Sequence, residues 1–301
     1  MIGAIIGDIV GSRFEFNNHR SKEFELFTAE CRVTDDSIMT LAIAKALMET
    51  EKRVKPSFVE GGYDNEFDTI LKRMSIKYMQ EMGRQYPNCG FGGMFSQWVF
   101  SDNPKPYNSF GNGATMRISP VGFISRTVKE VCSLSEIVTR VTHNHVEGLK
   151  GAEATAVAIF MAKQGIPKKE IDNTINLHYY SLDFTIDEIR DTSPFNETCQ
   201  ETVPQAIQAF LESSSFEDAI RTAVSVGGDS DTLAAITGAI AEAYYGVLEN
   251  IKEKALTYLD HNLRSIYEEW CEFVEKLNSR SSFKNLTKYL DHLSEFQSLG
   301  K

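Results

Sequence analysis

Two segments of the chain are apolar on nearly all sides at helical spacing, and an acidic cluster directly precedes each of them. Residues 37–48 follow TDD and read SIMTLAIAKALM, and residues 233–245 follow GGDSDT and read LAAITGAIAEAYY. A helix that lacks a polar face is buried against neighbours on every side. The chain therefore predicts a core organised around two buried helices that both begin at carboxylates.

Helical spacing of apolar residues recurs elsewhere in the chain, whereas strand-like alternation is scarce. With 301 residues, 42% of them hydrophobic, the chain can bury the core of one large domain or at most two. We expect an all-α domain over residues 1–260 and a helical C-terminal extension over residues 261–301 that packs on it. The predicted helices span residues 37–49, 149–164, 203–212, 216–225, 233–249 and 264–277.

Composition excludes several classes of function. The net charge of −11 and the lack of a Lys/Arg cluster argue against binding to polymeric nucleic acid. No apolar run reaches the roughly 18 to 20 residues of a transmembrane helix, and the opening MIGAIIGDIVGS lacks a basic start and is interrupted by Asp8. Five scattered cysteines form no CxxC pair. We expect a cytoplasmic protein with reduced, structural cysteines and no membrane partner.

The acidic clusters TDDS at 34–37 and GGDSDT at 227–232 have two explanations. Asp, Ser and Thr are favoured helix N-caps, and carboxylates suit the positive end of a helix dipole. A cap, however, needs one side-chain oxygen, and each cluster supplies two carboxylates and hydroxyls. If the helices start side by side, the carboxylates converge and repel, which favours Mg²⁺ or Mn²⁺ between them. The spacing alone leaves both explanations open.

Three further segments carry candidate functional residues. Asp8 and Glu15 lie seven residues apart, about two helical turns, around a Gly-rich start that also suits close helix packing. The glycines of SFGNGATMR at 109–117 allow backbone N–H groups to approach a phosphate, although a plain turn has the same composition. His143 and His145 precede a helix without the spacing of a helical zinc site. Residues 86–122 combine Gly, Pro and Asn with many aromatics, which is typical of an ordered, functional loop.

Five segments then follow one another in a specific order. They read GDIVGSRFE, VTDDSIMTLAIAKAL, PYNSFGNGATMRISPVGF, VTHNHVEGLKGAEATA and VGGDSDTLAAITGAIAEAYYG. Together they resemble the ADP-ribosylglycohydrolase family, which includes the dinitrogenase-reductase-activating glycohydrolases and the ADP-ribosyl-acceptor hydrolases. The resemblance spans residues 1 to about 260. It implies an all-α orthogonal helical domain with two Mg²⁺ or Mn²⁺ ions at the floor of an ADP-ribose cleft.

The resemblance also implies roles for individual residues. The implied metal ligands are Thr34, Asp35 and Asp36 for one ion and Asp229 and Thr232 for the other, with Asp231 able to bridge both. The implied ADP-ribose contacts are Ser109, Phe110, Gly111, Asn112, Gly113, Met116 and His143, with His145 an equally near alternative to His143. Glu15 falls at the position of the family's catalytic or metal-associated glutamate, and Asp8 supports the site directly or through the ligands.

The implied reaction is hydrolysis of the glycosidic bond at ribose C1″ of an ADP-ribosylated protein side chain or small molecule, with release of ADP-ribose. Glu15 is expected to orient or deprotonate the attacking water, and Asp36 is the competing candidate. Phe91, Trp98 and Phe110 could stack on adenine, although Trp98 also suits the core. Arginine is the acceptor favoured by family habit. An ADP-ribose-binding pseudoenzyme and a metal-dependent phosphoesterase remain the alternatives.

Overall fold

The computed structural model describes residues 1–59 and 62–280 and is almost entirely helical. Helices account for 64% of this described part, which confirms the predicted all-α class. The two short strands of the described part, β1 (Phe58–Val59) and β2 (Gly62–Tyr63), pair antiparallel. The α-helices are α1 (Ile2–Gly11), α2 (Asp35–Glu51), α3 (Asn65–Gln85), α4 (Gly93–Phe100), α5 (Ser119–Ile124), α6 (Val128–Thr139), α7 (Val146–Lys163), α8 (Lys168–His178), α9 (Ile186–Ile189), α10 (Cys199–Glu212), α11 (Phe216–Val226), α12 (Ser230–Tyr245), α13 (Glu249–Leu256) and α14 (His261–Arg280).

Helix α12 lies at the centre of the fold. It packs against α1, α7, α10 and α11, with smaller contacts to α2 and α5. Every residue from 230 to 241 is buried, so no face of this stretch reaches solvent. Helix α2 is also buried along most of its length, between α3, α14 and α1. The prediction of two buried helices is therefore confirmed, because their lack of a polar face requires neighbours on all sides.

Close backbone contact holds α1 against α12. A Cβ atom built on Gly7 would lie 2.0 Å from the carbonyl oxygen of Ala234, and one built on Gly3 would lie 2.1 Å from that of Gly238. Carbon and oxygen cannot approach so closely, so both positions require glycine. The contact places the C-terminal end of α1, and Glu15 just beyond it, beside the N-terminus of α12.

We predict that Gly7→Ala destabilises the protein by about 2 to 3 kcal/mol, because the added methyl group must push two packed helix backbones apart. The melting temperature should fall by roughly 5 °C or more. Gly93→Ala is the matched control, since in the described part of the chain no atom beyond the neighbours of Gly93 in its own helix lies within 4 Å of a Cβ built there, and its φ lies outside the left-handed range. Thermal and urea unfolding of both variants check the prediction. Parent-like stability of Gly7→Ala would show that α1 and α12 are not in backbone contact in solution.

The observed helix ends refine the predicted boundaries. The predicted helix 233–249 is wrong at both ends, because α12 begins at Ser230 and stops at Tyr245. Gly246 adopts a left-handed φ of 74°, which ends the helix, and α13 begins three residues later. Helix α2 begins at Asp35 rather than at residue 37. Both acidic clusters thus enter the first turn of their helices.

Helix α14 covers the surface of α2. Glu269 of α14 pairs with Lys45 of α2 at 2.5 Å and with Lys52, just after α2, at 2.7 Å. The predicted C-terminal extension covers 261–301, and its part after Arg280 lies outside the described residues. Within the described chain, no helix combines the length and apolar character needed to cross a membrane.

Candidate active site

The N-termini of α2 and α12 meet at the floor of a cleft of about 260 Å³. The hydroxyl of Thr232 in α12 donates a hydrogen bond to Oδ2 of Asp36 in α2 at 3.3 Å. The acidic floor consists of Glu15, Asp35, Asp36, Asp229, Asp231 and Thr232. The two helices therefore start side by side, and their carboxylates converge as the sequence predicts for that arrangement.

Helix capping does not account for the carboxylates. The side chain of Thr34 caps α2 by accepting from the backbone N–H of Asp36. Asp229 occupies the N-cap position of α12, yet its side chain makes no capping hydrogen bond and instead accepts from Nδ2 of Asn112 at 2.6 Å. Capping thus explains Thr34 and leaves the acidic floor unexplained.

Asp8 and Thr34 lie behind the floor rather than in its surface. The carboxylate of Asp8 accepts the Thr34 hydroxyl at 2.6 Å and the backbone N–H groups of Thr34 and Ser37, both at 3.1 Å. Neither Asp8 nor Thr34 lines the cleft. Asp8 therefore ties α1 to the first turn of α2 and fixes the direction in which Asp35 and Asp36 point.

The carboxylates of the floor are poorly neutralised by the protein. Burial, followed by repulsion from Asp231, raises the pKa of Asp36 well above its ordinary value. Burial and Asp229 raise the pKa of Asp231 in the same way. Burial raises the pKa of Asp229 to about 6, and burial with Asp231 raises that of Glu15 to about 7. A cation bound among these carboxylates would stabilise their ionised forms.

The donor set fits a hard divalent cation. Oxygen atoms of Glu15, Asp229 and Asp231 lie within 4.8 Å of one another. Oδ1 of Asp36 is buried and has no hydrogen-bond partner among the described residues, which is costly for a carboxylate oxygen unless a cation binds it. Carboxylates and hydroxyls are the ligands that Mg²⁺ and Mn²⁺ prefer.

The glycine pair before Asp229 aims the second acidic cluster into the cleft. Gly227 and Gly228 have φ values of 77° and 70°, so the chain reverses between α11 and α12 through a left-handed turn. Asn18 holds this turn, since its Oδ1 accepts from the N–H of Gly228 and its Nδ2 donates to the carbonyl of the same residue. The loop that carries Glu15 is thereby joined to the loop that carries Asp229.

The wall above the floor comes mainly from the predicted functional loop 86–122. Ser109, Gly111, Asn112, Gly113, Met116 and His143 of the predicted ADP-ribose contacts line the cleft. Nδ2 of Asn112 bonds Asp229, and its backbone N–H donates to the carbonyl of Glu197 at 2.7 Å. Asn112 therefore joins the glycine motif at 109–117 to the second acidic cluster by a hydrogen bond.

The structure separates residues that the sequence leaves equivalent. His143 is buried in the cleft wall, whereas His145 caps α7 through Nδ1, which accepts from the N–H of Glu147 at 3.1 Å. Phe110 is outside the cleft lining, with its ring 5.2 Å from that of His145. Trp98 is 4% exposed and stacks on Phe95, so it belongs to the core.

Further lining residues carry no strong signal in the sequence. They are Gly90, Gly92, Gly93, Met94, Phe95, Tyr107, Arg117 and Glu197. Arg117 directly follows Met116 in the glycine motif. Phe95 and Tyr107 could have been predicted only from the aromatic composition of residues 86–122. Glu197 belongs to no motif and reaches the cleft through a bridge between Gly111 and Thr198. Phe91, a proposed adenine contact, packs on Phe95 outside the lining.

Comparison with known proteins assigns the chain to a family. The sequence model of the family described as ADP-ribosylglycohydrolase matches residues 1–286. The chain belongs to the ADP-ribosylglycohydrolase family. It is therefore an enzyme of the glycohydrolase class, as the resemblance implies.

Similar proteins come from animals and bacteria. ADP-ribosylhydrolase ARH3 of Mus musculus is 25% identical over 330 residues, covering 84% of each chain. ADP-ribosylarginine hydrolase Tri1 of Pseudomonas putida (strain GB-1) is 26% identical over 273 residues, covering 82% of this chain and 70% of the relative. Among solved structures, an ADP-ribosylglycohydrolase-related protein complex aligns with a TM-score of 0.60 at 22% identity, covering 88% of this chain and 94% of the other. This last similarity establishes the shared fold of the ADP-ribosylglycohydrolase family.

Proposed function

We propose that the protein hydrolyses the glycosidic bond at ribose C1″ of an ADP-ribosylated acceptor and releases ADP-ribose, with two Mg²⁺ or Mn²⁺ ions as cofactors. The observation that carries this proposal is the 2.6 Å hydrogen bond between Asn112 and Asp229. It joins the acidic floor to the glycine wall, which is the part of the cleft lined by Ser109 and residues 111–113. A diphosphate along the glycine wall would place the attached distal ribose over the carboxylates. Membership of the ADP-ribosylglycohydrolase family supports the same reaction.

The proposed metal ligands are the residues of the acidic floor. Asp35 and Asp36 would hold one ion, Asp229 and Thr232 the other, and Asp231 would contribute to both. Thr34 receives the least support, because its hydroxyl donates to Asp8 and lies outside the lining. Bound ions would orient the ribose hydroxyls and stabilise the negative charge that develops as the acceptor leaves.

Glu15 is the proposed general base. It is half-buried at the edge of the acidic floor, where burial and Asp231 raise its pKa in the metal-free protein, and a carboxylate held beside the reacting water can accept a proton. From this position its carboxylate would orient and deprotonate the water that attacks C1″. Asp36 is the competing candidate, since Oδ1 of its carboxylate has no hydrogen-bond partner in the floor.

The wall residues would bind the ADP part of the substrate. Ser109, Gly111, Asn112 and Gly113 would position the diphosphate, while Met116 and His143 would contact the nucleotide. Met94 is 54% exposed and, with Tyr107, offers the adenine an apolar surface within the lining. Phe110 at 42% exposure remains a rim residue in this arrangement.

Arginine is the proposed acceptor. Glu15 and the exposed Glu197 both line the cleft and raise its negative charge where the acceptor would leave. A cationic guanidinium is attracted to such a site. The relative from Pseudomonas putida, an ADP-ribosylarginine hydrolase, supports the same choice.

Product analysis tests the reaction directly. ADP-ribosyl-arginine, ADP-ribosyl-serine and O-acetyl-ADP-ribose are incubated with the protein in Mg²⁺ or Mn²⁺, and the products are separated by HPLC. Free ADP-ribose with fastest release from ADP-ribosyl-arginine supports the proposal. Intact substrates together with measurable ADP-ribose binding would indicate a pseudoenzyme, and AMP would indicate a phosphoesterase.

We predict that Mg²⁺ or Mn²⁺ raises the melting temperature of the metal-free protein and that ADP-ribose raises it further. A ligand that binds the folded form alone adds about 2.7 kcal/mol at a hundredfold excess over Kd, which is a shift of several degrees for a chain of this size. The Asp36→Asn, Asp231→Asn double variant should show no metal response in the same melts. An unchanged response would place the cations elsewhere on the acidic surface.

A further inference from the structure

Arg117 is a buried cation in the wall of an acidic cleft. It is 1% exposed and lines the cleft beside His143. Its Nη2 donates to the hydroxyl of Thr142 at 2.5 Å, while Nε and Nη1 have no hydrogen-bond partner among the described residues. A buried guanidinium without a carboxylate partner is expensive to maintain. Its position therefore calls for a role beyond packing.

The contacts of Arg117 favour one of the two neutral forms of His143. Nη2 of Arg117 lies 3.3 Å from Nδ1 of His143, and the Thr142 hydroxyl lies 2.8 Å from the same nitrogen. A guanidinium can only donate, so its contact favours the tautomer in which Nδ1 presents its lone pair. The Thr142 hydroxyl lies 3.3 Å from the carbonyl of Thr139 as well, so it can serve Nδ1 as donor or as acceptor, and the charge of Arg117 is what favours the lone pair. In a neutral imidazole the proton then resides on Nε2. Burial and the charge of Arg117 both lower the pKa of His143 well below its ordinary value, which keeps the ring neutral.

The other nitrogen of His143 faces the glycine wall. A Cβ atom built on Gly113 would lie 3.6 Å from Nε2, and one built on Gly111 would lie 3.8 Å from it. Because both residues lack that atom, Nε2 is left open to a ligand lying along the glycines. The geometry thus presents one N–H donor, with a fixed direction, at the place where the nucleotide is proposed to bind.

We propose that Arg117 is a positioning residue that holds His143 as the Nε2–H tautomer, so that His143 donates a hydrogen bond to an oxygen of ADP-ribose lying between Gly111 and Gly113. The hydrogen bond to ADP-ribose rests on the proposed function, while the tautomer of His143 depends only on contacts within the protein. Arg117 acts through His143, because its own free nitrogens are buried away from solvent.

Nitrogen NMR on histidine-labelled, Mg²⁺-loaded protein tests the tautomer without substrate. The parent should show His143 with a protonated Nε2 and an unprotonated Nδ1, with the signal assigned by its loss in His143→Gln. In Arg117→Met, which keeps the length of the side chain and removes its donors, Nδ1–H should become populated. Arg117→Lys should restore the Nε2–H form, because an ammonium also only donates. Protonated Nδ1 in the parent would overturn the inference whether or not any variant folds.

Binding of ADP-ribose, measured by calorimetry, tests the consequence. Arg117→Met should weaken binding by about 10- to 100-fold, as expected for a lost hydrogen bond to a charged group, with Arg117→Lys intermediate. KM should rise in parallel and kcat should stay within about threefold, because the contact lies on the nucleotide. Arg84→Met, which changes an exposed arginine on α3, is the control and should bind like the parent.

Parent-like affinity and tautomer in Arg117→Met would overturn the inference even if hydrolysis is confirmed. If the parent hydrolyses no substrate but Arg117→Met loses both the affinity for ADP-ribose and the Nε2–H tautomer, the inference is supported while the proposed function fails.

Discussion

Asp36→Asn and Asp231→Asn should each lower kcat/KM by more than about a hundredfold, equivalent to roughly 2.7 kcal/mol of transition-state stabilisation. Each substitution removes one proposed anionic ligand from a floor in which Asp36 and Thr232 join the two helices. HPLC measurement of ADP-ribose release at saturating Mn²⁺ provides the rate. Activity within about tenfold of the parent would contradict the two-metal proposal.

Stability distinguishes this loss from unfolding. Each Asn replaces a buried carboxyl group whose ionisation is unfavourable, as its raised pKa indicates. The metal-free variants should therefore melt at or above the temperature of the parent. Asp102→Asn is the matched control, because Asp102 is exposed in loop 86–122 and outside the cleft lining. It should change neither the rate nor the melting temperature. A large drop in the melting temperature of Asp36→Asn would mean that the carboxylate is structural.

Glu15→Gln should retain metal binding and lose most of its turnover, because glutamine keeps the size of the side chain but cannot accept the proton of the attacking water. A base of this kind typically contributes 10²- to 10⁴-fold to the rate. The measurements are kcat by HPLC and Mn²⁺ affinity by calorimetry on the same preparation.

The position of Glu15 makes the second measurement decisive. Its carboxylate lies within 4.8 Å of carboxylate oxygens of Asp229 and Asp231, so it could bind a cation as well as a proton. Loss of Mn²⁺ binding in Glu15→Gln would identify Glu15 as a ligand first and a base second. Glu23→Gln, an exposed change in the same loop region, should alter neither quantity.

The class of fold and the two central helices could be predicted from the sequence, because they depend on local pattern. Residues 37–48 and 233–245 lack a polar face, and such helices must be buried whatever their neighbours are. The acidic clusters could be located for the same reason, since they are contiguous in the chain and directly precede the apolar runs. The order of five short motifs was sufficient to identify the family.

Side-chain direction could not be predicted in this way, because it depends on contacts between distant segments. Thr34 belongs to the TDD motif, yet its hydroxyl caps α2 and bonds Asp8 of α1. His143 and His145 are two residues apart, and the register of α7 sends the second one to a cap. Trp98 could serve a ligand or the core, and its stacking on Phe95 places it in the core.

The sequence by itself determined which helices are buried and that acidic clusters lie at their N-termini, because helical periodicity and motif order are properties of neighbouring residues. The meeting of Glu15 with Asp231, of Asn112 with Asp229 and of Glu197 with the glycine wall was decided only by the tertiary structure. The physical reason is the backbone contact of Gly7 with Ala234 and the left-handed turn at 227–228. The backbone contact sets how close α1 approaches α12, and the turn sets where the second acidic cluster points. Both depend on contacts between distant segments, so no single segment encodes them.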